Sequence, residues 1–373
     1  MKNSGFAALW AALAAVFCCF GSAAGQQAFV EEARTYVAKI SKPSPHWDGP
    51  ITGPSAVPKK LIVYVSADQR NGGALGVGRA VEEAAKVIGW SFRLIDGEGS
   101  PAGRAAALEQ AENLKPDGII LGTVDAQEQA ALVNRIAAKG IKIVGWHATD
   151  KPGPAPSLGI FTNIATDANE VAKAAALYAV ADSNGTAQVV IFTDPAYAIG
   201  IAKSNAMLDV IKQCAGCGVL SVERLDHGLF RDAATMMTRR TAELLRRYGA
   251  KWTYSIGDND LYFDHMIGTL LAAGIPGNGN PRNISAGDGS ELAFERIRMK
   301  RYQVGTVAEP LRLHGWQAID ELNRAFAGAK DSGYSTSVHL VTAANIRFDG
   351  GARNEFDPEN GYRSAYRRIW GVK

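Results

Sequence analysis

Carboxylate, amide and aromatic side chains recur at the ends of predicted strands along this sequence. The predicted site consists of Arg70, Asn71, Trp146, His147, Tyr197, Phe230, Asn259, Asp260, Asp288 and Glu309. Carboxylates accept hydrogen bonds, amides donate and accept them, and aromatic rings cover the C–H face of a sugar ring. The set therefore predicts a binding site for a small hydroxylated ligand. Several carboxylates in one crevice also suit a cationic or other non-sugar molecule, which stays open as the alternative.

Structural roles compete with ligand binding for the same side chains. An aspartate after a strand often caps the following helix, as Asp260 could do before Leu261 and Asp288 before the next helix. Phe230 and Trp146 could instead pack in a core. A helix cap and a ligand contact do not exclude each other.

An exported α/β enzyme is the alternative class of function. His147 beside Asp68 or Asp150 could form a base with an orienting carboxylate, but no serine or cysteine nucleophile accompanies it. The sequence also has no Gly-x-Ser-x-Gly elbow, phosphate loop, His-Glu-x-x-His motif or paired zinc spacing. These observations favour a binding protein over an enzyme and predict neither a cofactor nor a metal site.

A βαβ unit at residues 61–96 is the first element that must position this site. The β-branched run at residues 61–65 predicts a buried strand, and apolar residues from Val77 onward recur with helical spacing. Parallel strands joined in this way predict a right-handed crossover. A ligand would then lie at the carboxyl end of the first strand, in the loop at residues 68–73.

Two glycines in this unit resemble part of a dinucleotide fingerprint. Gly76 and Gly78 open the helix, and Asp96 follows the next strand. Val81, however, stands where the fingerprint requires its third glycine. We therefore expect these glycines to permit close helix packing.

Strands and helices alternate in two series after this unit, which predicts two doubly wound parallel-sheet α/β lobes. We place crossovers near Asn163, Glu309 and Thr342, as a three-segment hinge. Lobe 1 would comprise residues 58–163 and 310–341, and lobe 2 residues 164–309 and 342–373.

The N-terminal region has a different composition from the rest of the chain. Residues 1–24 read as a signal peptide, with Lys2, an apolar run and small residues before the cleavage point. Residues 25–57 comprise a short amphipathic helix and a strap rich in proline and glycine. The formal net charge of +3 gives no indication of nucleic-acid binding. Cys214 and Cys217, the cysteines beyond the signal peptide, predict a disulfide in an exported protein.

From about residue 58 onward, the sequence resembles periplasmic binding proteins of the ribose-binding type. The motifs that carry the resemblance are Asn71, Pro116-Asp117-Gly118-Ile119-Ile120, Gly140-Ile141-Lys142-Ile143-Val144, Asn259-Asp260, Gly287-Asp288-Gly289 and Thr306-Val307-Ala308-Glu309-Pro310. The resemblance implies a periplasmic solute receptor that closes on its ligand and delivers it to the permease of an ABC transporter. It also implies a monomer.

The resemblance assigns ligand contacts to four residues, namely Asn71, Asn259, Asp288 and Glu309. Glu309 stands where that family usually has glutamine. Trp146-His147-Ala148 replaces the Asp-Arg pair that makes charge-assisted hydrogen bonds to sugar hydroxyls. The ligand is therefore expected to differ from ribose.

Overall fold

Two six-stranded sheets organise the chain. The computed structural model describes residues 7–225 and 233–373. Helix α1 (Ala7–Ile40) comes first. The elements of lobe 1 that follow are β1 (Leu61–Ser66), α2 (Gly72–Ile88), β2 (Ser91–Asp96), α3 (Pro101–Asn113), β3 (Gly118–Gly122), α4 (Ala130–Ala138), β4 (Lys142–Trp146), β5 (Gly153–Ala155) and β6 (Ile160–Ile164).

The second series of elements forms lobe 2 and the C-terminal region. Its elements are α5 (Ala168–Asp182), β7 (Gln188–Thr193), α6 (Ala198–Gln213), β8 (Gly218–Arg224), α7 (Ala233–Tyr248), β9 (Tyr254–Gly257), α8 (Leu261–Ala272), β10 (Arg282–Ser285), α9 (Glu291–Met299), β11 (Gly305–Ala308), α10 (Leu311–Phe326), β12 (His339–Thr342), α11 (Ile346–Asp349) and α12 (Tyr362–Trp370). The sheet orders are β2-β1-β3-β4-β6-β5 and β12-β11-β10-β9-β7-β8. The predicted fold of two doubly wound α/β lobes is confirmed.

The opening βαβ unit shows why the local sequence folds as predicted. Strand β1 is buried and pairs in parallel with both β2 and β3. Helix α2 begins at the cap residue Asn71 and ends at Gly89, which adopts φ 81°. A Cβ on Gly78 would lie 3.0 Å from the Tyr64 ring, and one on Gly76 only 2.7 Å from Leu311. These glycines therefore serve close packing, as the sequence predicted.

In the described part of the structure, the chain passes between the lobes at four places after β1. The first two follow β6 and β11, at the predicted positions near Asn163 and Glu309. The third lies between α10 and β12, and the fourth between α11 and α12. The predicted return at Thr342 is therefore wrong.

The predicted lobe assignment of the C-terminal region needs the same correction. β12 pairs antiparallel with β11, with Leu340 opposite Val307, so it belongs to lobe 2 rather than to residues 310–341 of lobe 1. Helix α12 packs on α10 and α2, so the end of residues 342–373 belongs to lobe 1. A four-residue apolar strand carries no local signal of which sheet edge accepts it.

An N-terminal arm (residues 25–57) lies against both lobes. Its helical part, the end of α1, packs on α5 and buries Val30 and Ala33 in the core of lobe 2. Its extended part lies on lobe 1, where Trp47 contacts the rings of Tyr334 and Tyr366. Within the described part of the chain, no helix is long and apolar enough to span a bilayer.

The cleft between the lobes is closed at its mouth by direct contacts. They are Arg104–Tyr197 at 3.4 Å, Ala198–Asp125 at 3.3 Å and Arg79–Glu291 at 3.1 Å. Each pair joins a residue of lobe 1 to one of lobe 2. The structure therefore represents the lobes in contact around an internal cavity.

Candidate ligand-binding site

A cavity lies where the carboxyl ends of the strands of both sheets face each other. With its mouth it encloses about 640 Å³ of empty space. Its lining residues are Asp68, Asn71, Thr123, His147, Asp194, Tyr197, Ile199, Gly200, Lys203, Asp258, Asn259, Leu261 and Asp288. Ligands of open α/β sheets bind at such strand ends.

Asp288 is a buried carboxylate of the cavity that has no hydrogen-bond donor among the described residues. It follows β10, lines the cavity and is only 7% exposed. Among the described residues, none donates a hydrogen bond to its carboxylate; the nearest ring nitrogen, Nδ1 of His147, lies 3.9 Å away. Burial raises the pKa of Asp288 to about 6, although Lys203 and His147 act in the opposite direction. A buried acceptor without a donor is costly unless a ligand supplies the donor.

His147 links this aspartate to the hinge. It follows β4 with a φ of 52° and stacks on Trp146, with ring centroids 4.1 Å apart. Its Nε2 donates to Glu309 Oε2 at 2.9 Å, because a carboxylate oxygen can only accept. Burial by itself would raise the pKa of Glu309, but the charge and hydrogen bond of His147, together with His314 and Lys203, outweigh it and lower that pKa to about 2.

A second histidine lies behind Glu309 in a different protonation state. Burial lowers the pKa of His314 to about 4, so its ring is neutral at pH 7. Trp146 Nε1 donates to His314 Nδ1 at 3.0 Å, and the remaining nitrogen lies 2.8 Å from Thr336 Oγ1. Nε2 therefore carries the proton and donates it to the threonine. Although Nδ1 is 3.5 Å from Glu309 Oε2, this contact is not an ion pair.

Lys203 was missed by the sequence reasoning. It is 3% exposed within α6, and its Nζ donates to the carbonyl oxygens of Ala286 at 2.6 Å and Asp258 at 3.2 Å. Its charge lowers the pKa values of both Asp288 and Glu309. One signal could have revealed it: this lysine lies on the buried stripe of its helix, three residues after Gly200 and four before Met207.

The side chains of His147, Asp288 and Glu309 could hold a metal ion by their types. Their donor atoms lie within 4.8 Å of one another, and all three residues are buried. The imidazole, however, faces Glu309 with one nitrogen and Asp288 with the other. Lys203 already supplies a positive charge to both carboxyls. The arrangement therefore fits a ligand-binding and hinge role better than a metal centre.

Three further predicted residues line the cavity beside Asp288 and His147. Asn71 lies there while its Oδ1 accepts from Gly73 N at 2.9 Å and caps α2. Asn259 lines the cavity and accepts from the backbone of the following helix. Tyr197 contributes its ring, which stacks near the Arg104 guanidinium at 5.5 Å. Asn71 and Asn259 therefore line the cavity while they also accept hydrogen bonds from the backbone of a following helix.

Four predicted residues lie elsewhere in the described structure. Arg70 turns away to pair with Asp68 at 2.8 Å, and Trp146 is fully buried. Asp260 accepts from Gly289 N at 2.8 Å and thereby holds the loop that carries Asp288. Glu309 lies behind His147 and is not part of the cavity lining.

Phe230 lies outside the described residues. Cys214 and Cys217 form a disulfide, far from the cavity lining. The lining residues left out of the predicted site are Asp68, Thr123, Asp194, Ile199, Gly200, Lys203, Asp258 and Leu261.

Comparisons with known proteins agree with this architecture. The glucose-galactose binding protein from Geobacillus stearothermophilus is 18% identical, with a TM-score of 0.66, and the match covers 77% of this chain and 99% of that one. The periplasmic ribose ABC transporter protein from Conexibacter woesei is 19% identical, with a TM-score of 0.64 and coverage of 80% and 97%. A solute binding protein from Agrobacterium vitis, bound to α-D-tagatopyranose, is 14% identical, with a TM-score of 0.68 and coverage of 80% and 99%.

The sequence itself gives a family match. A search of curated proteins finds no matching relative. The model of the periplasmic binding protein domain matches residues 62–330, which is most of the chain. Strand order, cleft and family match agree, and the chain belongs to the periplasmic binding protein family.

Proposed function

We propose that this protein is the solute receptor of an ABC importer and binds a small sugar, polyol or derivative between its lobes. The unpartnered carboxylate of Asp288 carries the proposal. It is buried in the cavity, has no hydrogen-bond donor among the described residues, and has its pKa raised to about 6 by burial. A ligand hydroxyl would supply the missing donor.

The pairing of Asp288 with His147 indicates how a hydroxyl would bind. Asp288 Oδ1 and His147 Nδ1 are 3.9 Å apart, so one ligand atom can lie within hydrogen-bonding distance of both. When Nδ1 carries a proton, one group donates and the other accepts, which matches a hydroxyl. When Nδ1 is unprotonated, both groups accept, which matches an ammonium.

A cationic ligand is the second candidate because carboxylates outnumber cations around the cavity. Asp68, Asp194, Asp258 and Asp288 line it, together with one lysine. Asp68 pairs with Arg70, so it contributes no unbalanced charge, and burial raises the pKa of Asp258. The geometry therefore favours the neutral hydroxylated ligand.

The proposal extends to the cellular context of the protein. Residues 1–24 would be removed on export, and the mature monomer would act in the periplasm. The structural neighbours named above are described as sugar-binding or sugar-transport proteins. Closure on the ligand would give the permease a form to recognise. The bound molecule would leave unchanged, since we propose binding and delivery without catalysis.

A binding screen tests the proposal. Mature wild-type protein is heated with sugars, polyols, amino sugars and polyamines, and each hit is measured by calorimetry. A ligand at about a thousand times its Kd stabilises the protein by about 4 kcal/mol. Asp288→Asn should weaken a hit about 10- to 150-fold, the value of one hydrogen bond to a charged group. The exposed Asp150→Asn control should bind normally.

The outcomes of the screen separate the two candidates. Binding of neutral sugars or polyols supports the proposal, and binding confined to amines supports the cationic alternative. Recovery of the ligand unchanged by mass spectrometry supports a receptor. Conversion of the ligand would instead indicate an enzyme. Equal affinity of wild type and Asp288→Asn would contradict the assigned site.

A further inference from the structure

The N-terminal arm grips lobe 2 through the end of α1. Gln26 Nε2 donates to the Gly185 carbonyl at 3.1 Å, and Tyr36 OH to Glu170 at 3.3 Å. Val30 and Ala33 are almost fully buried in the core of that lobe. The backbone of Ser41, just beyond the helix, is held by Asn345 Nδ2 at 3.2 Å. The arm thus remains fixed to lobe 2 as far as residue 41.

The same arm grips lobe 1 from Trp47 onward. The Trp47 ring lies 5.1 Å from the Tyr334 ring and 5.4 Å from the Tyr366 ring. Further along, Asn323 on α10 binds Val57 N at 2.9 Å and the carbonyls of residues 54 and 55. Ala56 N donates to the Trp370 carbonyl at 2.9 Å. Residues 47–57 are therefore part of lobe 1.

A short stretch, residues 42–46, joins these two attachments. Five residues extend at most about 18 Å, so the two attachments cannot separate freely. The stretch runs beside the hinge, because a groove there is lined jointly by Lys42, Pro43 and the hinge residues Thr166, Pro310 and Thr336. The family match begins at residue 62, so the arm lies outside the matched domain.

We propose that the N-terminal arm is a tether that favours the closed arrangement of the lobes. Both of its attachments are satisfied together when the lobes touch across the cleft, as at Arg104–Tyr197. Because the lobes already meet, the rotation left to the hinge is opening. Opening would stretch residues 42–46 or detach one end of the arm, and each of these would raise the free energy of the open state.

The consequence for binding follows from a population shift. The inference assumes the hinge closure of the proposed function. The apparent affinity of such a receptor is proportional to the fraction of molecules in the closed, binding-competent arrangement. An intact tether would raise that fraction before any ligand arrives. Releasing it should weaken binding by about 2- to 10-fold while leaving the cavity unchanged.

The test is a single cut in a folded protein. A protease site replaces an equal number of residues within 42–46, so the stretch keeps its length, and the purified protein is cleaved after folding, so both halves of the arm remain docked. A matched protein carries the same site at the exposed turn around Gly140, within lobe 1. Nitroxide labels at Glu109→Cys and Arg246→Cys, exposed positions on opposite lobes, report the ligand-free interlobe distance.

The expected result is a longer and broader distance distribution after the cut at residues 42–46, and no change after the cut at Gly140. An uncut variant with eight Gly/Ser residues inserted at the same place should open similarly, and gel filtration with mass spectrometry confirms that the cut arm stays bound. Identical distributions for cut and uncut protein would overturn the tether. Ligand affinity of the uncut protein is measured separately, so a failure of the proposed function is seen independently.

Discussion

Replacing Asp288 with asparagine should make the protein more stable while it weakens ligand binding. The carboxylate is buried and has no hydrogen-bond donor among the described residues, and burial raises its pKa from 3.8 to about 6. The folded state therefore holds a proton that the unfolded chain has lost between these two pH values. Stability falls as the pH rises through this window, and the whole loss is present above pH 6.

The magnitude follows from the size of the pKa shift. A shift of about two units corresponds to about 3 kcal/mol. Asparagine keeps the shape of the side chain without its charge, and it also ends the interaction with Lys203, which offsets part of the gain. We expect Asp288→Asn to gain about 1 to 3 kcal/mol at pH 7.5 and almost nothing below pH 4.

Denaturant unfolding at a series of pH values measures this difference. Asp260→Asn is the matched control, because that buried aspartate accepts from Gly289 N and Gln303 Nε2 at 2.8 and 2.7 Å. Its neutralisation should destabilise the protein by about 1 to 3 kcal/mol. Opposite signs for two aspartates of the same lobe would be hard to explain by a general charge effect.

One result would refute this reasoning. A loss of stability for Asp288→Asn at pH 7.5, similar to that of the Asp260→Asn control, would mean that Asp288 serves the fold. Its assignment as a ligand acceptor would then fail. A gain in stability without loss of ligand affinity would place the ligand elsewhere in the cavity.

Two further predictions concern stability, and a third concerns the disulfide. Glu309→Gln should lower the free energy of unfolding by up to about 3 kcal/mol above pH 4.5, because the folded state stabilises the ionised form of Glu309 and so lowers its pKa. The deficit should shrink as the pH falls towards 2. A pH-independent deficit would contradict this. Lys203→Met should lose about 3 to 5 kcal/mol at pH 7 in denaturant unfolding, since it leaves buried carboxyls uncompensated; an unchanged midpoint would refute it. Replacing Cys214 and Cys217 with serine should leave ligand affinity unchanged in calorimetry, and thiol titration of the unreduced wild type should find neither sulfur free.

The opening unit could be predicted from the sequence because its signals are local. The turn chemistry after β1 and the helical spacing from Val77 onward depend on neighbouring residues alone. The strand-end position of Asp288 gave its place in the cavity for the same reason. Where a residue's neighbours in sequence determine its surroundings, pattern reading was sufficient.

The roles of Glu309 and Lys203 could not be predicted in this way. Glu309 is bound to His147, which lies 162 positions away in the sequence. Lys203 projects from the buried stripe of a helix, and its partners are backbone carbonyls of two other loops. The sheet that accepts β12 is likewise decided by a distant edge, that of β11. Such contacts arise from the assembled fold and leave no local pattern.

Helix α10 carries buried polar side chains that form hydrogen bonds with both terminal segments of the chain. Its Asp320 and Asn323 are fully buried, and both have partners at the ends of the chain: Trp370 Nε1 donates to Asp320 at 2.8 Å, and Asn323 binds the backbone around Val57. A protein trimmed to residues 62–330, the part matched by the family model, would leave Asn323 without these partners and Asp320 with Arg324 of the same helix. The domain matched by the family model therefore depends on the terminal segments for hydrogen bonds to buried groups. A chimera with a relative would have to include both ends of this chain.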